Sequence, residues 1–289
     1  MEIAQLYAFQ LVAKHKSFSK AAVELHLTQP AVTLQIKRLE SEVNGILVDR
    51  SGRNLDLTPA GMVFLTYVNQ ILHLSEQAVE TVSQFSNSRG RITIAAGTTN
   101  TIFRLPQILQ NYRRRYPQVE IRILNGDSKL TTQLVYDNAV DLGLVTTINP
   151  KEDNLLKILP VFKDPIWLIA PQGYPRQITI PELEKESLIL FRSGTGFRNF
   201  LDEQFRLNGF VPKATMEMES IEAIIRLVRS GLGLAFLPEI AAREELGKGE
   251  LQKMDLSSWV PMIRQTYLIY RHDKFLTWPV KAFLEQMAD

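Results

Sequence analysis

After Thr58-Pro59-Ala60-Gly61 the chain runs as far as Arg89-Gly90 without a helix breaker. Thr58 can cap a helix, and Pro59 sits where no intrahelical N–H donor is yet required, so one long helix starts at a defined place. It divides the 289 residues into a short N-terminal unit and a long C-terminal one, within the two or three compact units that this length allows. Along it Leu65, Val68, Leu72, Ser75, Val79 and Val82 alternate spacings of three and four, and Phe64, Ile71, Ala78 and Phe85 repeat every seven beside them. Two adjacent apolar stripes fit either a coiled-coil seam or a long helix packed on its own domain. The seam predicts a homodimer through Leu65, Val68, Leu72, Val79 and Val82.

Ahead of this helix, Ile3, Leu6, Phe9 and Ala13 mark one face of a short helix over Glu2 to Lys14. Ser17 and Ser19 offer caps for a second, with Ala21, Ala22 and Leu25, and Leu27 leads into a third, LTQPAVTLQIKRLE. ILVDRSGRNLDLT then alternates apolar and polar residues around Ser51-Gly52, the pattern of a small hairpin. Three helices and a wing are therefore expected.

In the third helix Val32, Ile36, Leu39 and Val43 gather on one face and must pack on the first two helices. Thr28 is placed to cap, Pro30 lies where no donor is needed, and Gln29, Thr33 and Lys37 line a neighbouring side. Such a helix fits the major groove of B-DNA, where Gln pairs with adenine, Lys or Arg with guanine, and first-turn N–H groups with phosphate. Arg50 and Arg53 in the wing would reach flanking phosphates or the minor groove. Leu34, almost opposite the buried stripe, should be exposed and placed to meet a thymine methyl. Periodicity alone equally describes any amphipathic helix with a solvated face. Charge does not separate the readings, because residues 1–57 hold seven Lys and Arg against six Asp and Glu.

From Arg91 strands alternate with helices: RITIAAG, a helix with Leu105, Ile108, Leu109 and Tyr112, VEIRIL, a short helix after Ser128, and DLGLV. A second set follows, with PIWLIAP, SLILF, a helix over Phe197 to Asn208, ATMEME, a helix over Ile221 to Ser230, and GLAFLP. QTYLIYR is one more strand, and Trp278 to Met287 a last helix. This alternation implies βαβ units, parallel sheet and a ligand cleft at the C-terminal ends of strands.

The run SFSKAAVELHLTQPAVTLQIKRLESEV, followed by DRSGRNLDLTPAG, resembles the winged helix-turn-helix of the LysR-type transcriptional regulators in spacing as well as residue type. The resemblance covers the whole chain. DLGLV and EAIIRLVRSGLGLAFLP fall where that family's C-terminal module has recurring segments. It implies an α/β protein overall, with a winged helix-turn-helix DNA-binding domain at 1–58 and a linker (dimerisation) helix at 59–89. The effector-binding module at 90–289 would be similar to periplasmic solute-binding proteins, with subdomain I at about 90–162 and 267–289 and subdomain II at about 163–266. Gln29, Pro30, Thr33, Leu34 and Lys37 take the family's base- and backbone-contacting positions and Arg53 its wing contact, with Thr28, Arg38 and Arg50 beside them. The implied partners are double-stranded promoter or operator DNA, further copies of the chain as homodimer and homotetramer, and bacterial RNA polymerase. Thr33-Leu34 departs from the family's common Ser followed by a basic or polar residue, and Val48 replaces a common aromatic, the first bearing on base preference.

Short donors stand at the expected strand ends: Thr98, Thr99, Asn100 and Thr101 after RITIAAG, Asp127 and Ser128 after RILNG, Thr146 and Thr147 after DLGLV, Arg192, Ser193, Thr195 and Arg198 after SLILF, and Ser220 before a helix. Each alone fits a helix cap; converging on one cleft, with Arg192 or Arg198 nearby, they make an anion cradle. The expected effector is a small carboxylate, phosphate or sulfur-containing metabolite, with no cofactor and no metal.

Catalysis has little support. His15, His26, His73 and His272 are scattered without ligand spacing and are expected at the surface. G-x-S-x-G and Walker patterns are missing, and Ser193-Gly194-Thr195-Gly196 lacks the lysine that phosphate transfer uses. No Cys is present, so disulfides and thiolate sites are excluded. The N-terminus shows neither a basic cap nor an unbroken apolar run, so a cytoplasmic protein without membrane partners is expected. The alternative is a cytoplasmic solute-binding or enzymatic α/β domain carrying an N-terminal dimerisation appendage.

Overall fold

The computed structural model describes residues 1–50, 55–84, 90–148 and 154–288. At the N-terminus α1 (Ile3–His15), α2 (Phe18–Glu24) and α3 (Gln29–Glu42) close around Phe9, Val12, Ala21, Val32, Ile36 and Leu39, all fully buried. The turn between α2 and α3 needs a left-handed residue, supplied by His26 at φ 55°, and Leu27 N–H closes it on Ala22 O at 2.9 Å. β1 (Val48–Asp49) and β2 (Asp56–Leu57) pair antiparallel as the base of the wing. The predicted Ser51-Gly52 turn lies outside the described residues.

The long helix α4 (Pro59–Gln84) is locked to the wing at its first turn. Thr58 Oγ1 donates to Ile46 O at 2.7 Å and accepts the Gly61 N–H at 2.9 Å. A Cβ on Gly61 would lie 2.0 Å from Leu47 O, so only glycine admits this approach. Val68 and Leu72 enter the core of the three-helix unit, with Leu65 packed against it. Val68 and Leu72, buried there, cannot form a seam with another chain, which corrects that part of the predicted dimerisation stripe. The own-domain alternative holds for this half of the helix.

The C-terminal module opens with β3 (Arg91–Ala96), α5 (Thr98–Phe103), α6 (Leu105–Arg115), β4 (Glu120–Asn125), α7 (Ser128–Tyr136) and β5 (Leu142–Val145), with β3 parallel to both β4 and β5. Next come β6 (Leu156–Pro171), β7 (Gln177–Ile178), α8 (Ile180–Leu183), β8 (Leu188–Phe191), α9 (Gly196–Leu207), β9 (Ala214–Met218) and α10 (Ile221–Arg229). β10 (Ala235–Pro238), α11 (Glu239–Gly247), β11 (Leu251–Leu256), β12 (Met262–Arg271) and α12 (Trp278–Ala288) complete the chain. β6 and β12 pair antiparallel from Met262↔Ile166 to Arg271↔Leu156. At one end β12 meets β5; at the other β6 meets β10 and β11. These two strands therefore join two halves, each with its own core: Ile92, Ile94, Leu142, Val280 and Phe283 in one, Ile189, Leu201, Phe205, Ile224 and Phe236 in the other.

β6 starts nine residues before the predicted PIWLIAP strand because Pro160 and Pro165, which cannot donate to a ladder, interrupt its pattern. The register shift at Thr266/Tyr267 falls at Pro160, whereas Pro165 pairs with Ile263 in regular register. The short elements β7 and α8, together with α11 and β11, were likewise outside the sequence expectation.

Candidate nucleic-acid interface and ligand cleft

α3 begins where its cap residue dictates: Thr28 is extended, and its Oγ1 accepts the Ala31 N–H at 3.3 Å. With Val32, Ile36 and Leu39 buried, the opposite face exposes Gln29, Pro30, Leu34, Lys37 and Arg38, Leu34 to 49%. Ser19 Oγ donates to Gln29 Oε1 at 3.3 Å, steadying that amide, while the half-buried Thr33 donates its hydroxyl to Gln29 O at 2.9 Å. Among the described residues Lys20, Lys37 and Arg38 form no ion pair, so a local positive face survives the nearly neutral overall balance. Arg50 behaves differently. It donates to Glu40 at 2.8 Å and lies 5.4 Å from the Phe18 ring centre, while Glu40 also accepts the Leu47 and Val48 N–H groups. Arg50 thus braces the wing base; Arg53 lies outside the described residues.

Between the two halves of the module lies a cavity of about 260 Å³. Thr98, Thr99, Asn100, Asp127, Ser128 and Thr146 line it from one half, Phe191, Thr195, Phe197, Glu219 and Ile221 from the other, and Arg264 from β12. Ser128 Oγ accepts the Thr146 N–H at 3.0 Å and the Thr147 N–H at 3.3 Å. Arg264 donates through Nη2 to Thr146 Oγ1 at 2.6 Å, with its guanidinium 4.7 Å from the Phe197 ring centre. Burial pushes its pKa down to about 10, partly opposed by Asp164, so it remains a cation at neutral pH. Asp164 itself is ion-paired with Arg104, which stacks on Phe162. Among the described residues no carboxylate bonds Arg264. Of its five donors several remain for a ligand, and a planar, weakly hydrated cation in a cavity wall suits a bidentate anion.

The cleft thus assembles Thr98, Thr99, Asn100, Ser128, Thr146 and Thr195, but not every predicted residue. Thr101 directs its hydroxyl to Gly97 O at 3.2 Å. Ser220 caps α10 through the Ala223 N–H, and the Ser193 N–H faces Glu217. Arg192 pairs with Glu219 at 2.7 Å in an exposed position, and Arg198 is held by Asp202, Glu217 and Phe191 O. Glu217 and Glu219 on ATMEME neutralise both predicted cations, and Arg264 is the arginine that lines the cavity. A parity signal existed for it: along β12 the residues Met262, Thr266 and Leu268 are buried, and Arg264 shares their face.

On α4 a different stripe is free. Val63 (62%), Tyr67 (58%), Leu74 (58%) and Val82 (68%) are exposed, as is Val79, whereas Phe85 lies outside the described residues. His73 is not a surface residue, contrary to expectation: it is half-buried and faces Lys274 of the module.

Comparison with known proteins agrees over both parts. Residues 3–62 match the model of the bacterial regulatory helix-turn-helix protein, lysR family, and residues 86–289 that of the LysR substrate binding domain. The HTH-type transcriptional regulator YwqM of Bacillus subtilis is 30% identical over 99% of this chain and 98% of its own. The RuBisCO operon transcriptional regulator of Allochromatium vinosum is 31% identical over 99% and 95%. Full-length CbnR in complex with its target DNA has the same fold, with a TM-score of 0.72 at 20% identity, covering 100% of this chain and 99% of that one. Among the described residues no helix is long and apolar enough to cross a membrane.

Proposed function

The chain belongs to the LysR family of helix-turn-helix transcriptional regulators, and from that premise we propose that it binds promoter DNA through α3 under the control of a small anion held on Arg264. The observation that carries the effector class is the guanidinium in the cleft wall, bonded to the Thr146 hydroxyl and stacked on Phe197. Ser128, Thr98 and Thr195 would add hydrogen bonds from both sides of the cleft, so a bound anion favours one relative placement of the halves. Gln29, Leu34, Lys37 and Arg38 would meet the major groove, and the exposed stripe of Val63, Tyr67 and Leu74 would pair two copies along α4. Ligand that prefers one arrangement must shift the paired heads on DNA by linkage.

Two measurements test this. Electrophoretic shift on the promoter region of its own gene should show specific binding that Lys37→Ala weakens. Thermal shift with a panel of carboxylates, phosphate and sulfate should find a stabilising anion whose effect disappears in Arg264→Gln. An anion response that persists in that variant would remove the effector reading, and absence of any specific complex would remove the α3 reading.

A further inference from the structure

We propose that His73 is a positioning residue: its neutral imidazole, set against the buried Lys274 ammonium, fixes the angle at which the linker helix and its DNA-binding head leave the effector module. The head and α4 form one body. Val68 and Leu72 lie in the head core, Tyr7 Oη donates to Glu76 at 2.8 Å, and Gln10 Nε2 donates to Asn69 at 2.8 Å. Another face of α4 meets the module at polar points, Gln70 Nε2 donating to Tyr136 O at 3.2 Å and Lys274 Nζ standing 3.4 Å from His73 Nε2.

Lys274 cannot follow the helix. Its side chain is 1% exposed and pinned within the module by Asp141 at 2.9 Å, Asn138 Oδ1 at 2.9 Å and Val140 O at 3.1 Å. Asp141 is itself fixed by the Thr93 N–H at 2.7 Å, and Arg271 donates to the same Tyr136 carbonyl that Gln70 uses. Asp141, Asn138 and Val140, the three nearer acceptors, take the three ammonium donors, and the imidazole from the linker helix stands against the cation at the longer 3.4 Å, a place it can hold only when neutral. Burial above all, with Lys274 and Arg91 also disfavouring its charge, outweighs Asp141 and Glu76, which favour it, and lowers its pKa to about 4.

The location gives the contact its meaning. α7 begins at Ser128 in the cleft and ends at Tyr136 beside this joint. β5 starts just after Asp141 at the joint and ends just before Thr146 in the cleft. Two elements thus run from the ligand cavity to the joint with the linker helix, a continuous path along which a shift in the cleft would reach it. The transmission rests on the cleft reading, whereas the joint does not.

Because the chain has no native Cys, Val23→Cys on the head and Gln107→Cys on the module can carry nitroxide labels in the full-length protein, diluted with unlabelled chain so that only intrachain distances register. Pulsed electron resonance should give one narrow distance peak. His73→Lys, which sets a second cation against Lys274, should shift and broaden it, and His73→Gln, which keeps a neutral polar side chain there, should restore it, with the melting temperature of the module unchanged in both. An unaltered peak in His73→Lys, or a His73→Gln peak as broad as that of His73→Lys, overturns the proposal. No effector is needed, so the outcome is independent of whether Arg264 binds an anion.

Discussion

The DNA-binding head and the ligand cleft solve opposite problems with similar residue types. The head places its working groups on one exposed helix face, backed by a core of neighbours close in sequence, so each contact rests on a frame it does not help to build. The cleft takes single residues from the ends of separate segments, Thr98, Ser128, Thr146, Thr195 and Arg264, which meet only once both halves are complete. Local cores make a surface that can be altered one side chain at a time; assembled clefts make a chemistry that depends on topology.

The sharpest way to break that contrast is Ile36→Asp. An unpaired carboxylate in the fully buried head core should cost about 3–5 kcal/mol or more, abolishing DNA binding and the head's melting transition while the module melts as before. Loss of both transitions would show that the two regions are not separate frames. Next in size, Arg264→Gln should lower anion affinity by at least about 10-fold, as expected for a charge-assisted bond. Arg192→Ala, which opens an exposed ion pair, should change it by less than about 3-fold. Titration calorimetry giving the reverse ranking would return the anion to the position expected from sequence.

A third test uses pH. His73 has its pKa lowered from 6.5 to about 4 when docked, so between these values the undocked form binds more protons than the docked one. Docking of the linker should be complete above pH 6.5 and be lost as the pH falls towards 4, followed by the same labelled distances. His73→Gln should show no such dependence in this window. The smallest expected effect is at Leu34. Leu34→Arg should strengthen binding to all duplexes by a few-fold, on the order of 1 kcal/mol, and weaken discrimination at one thymine. Binding assays on a base-substituted operator set would show whether affinity and preference both stay unchanged, which would leave Leu34 a tolerated surface residue.

Much of the head was legible because its signals are contiguous. The Thr28 cap, the Val32–Ile36–Leu39 spacing and the Thr58-Pro59 helix start all act within one or two turns. The strand-helix alternation of the module was legible for the same reason. What escaped was decided at a distance. Whether Val68 and Leu72 face a second chain or their own head depends on where α1 comes to rest, and two stripes on one helix leave that open. Arg192 and Arg198 had the right charge just after the right strand, but Glu217 and Glu219, on and just past a strand placed beside them only by folding, engage them first. Arg264 carries no local motif, and His73 owes its partner to a lysine two hundred positions later along the chain.

One consequence follows from β6 and β12 belonging to both halves of the module. Each half has a core of its own, yet neither can lose its sheet without stripping hydrogen bonds from strands that the other requires. The halves should therefore unfold together as one cooperative unit, and calorimetry should resolve the head from the module without splitting the module in two. A protein that bends about this pair of strands can do so without either half risking partial unfolding.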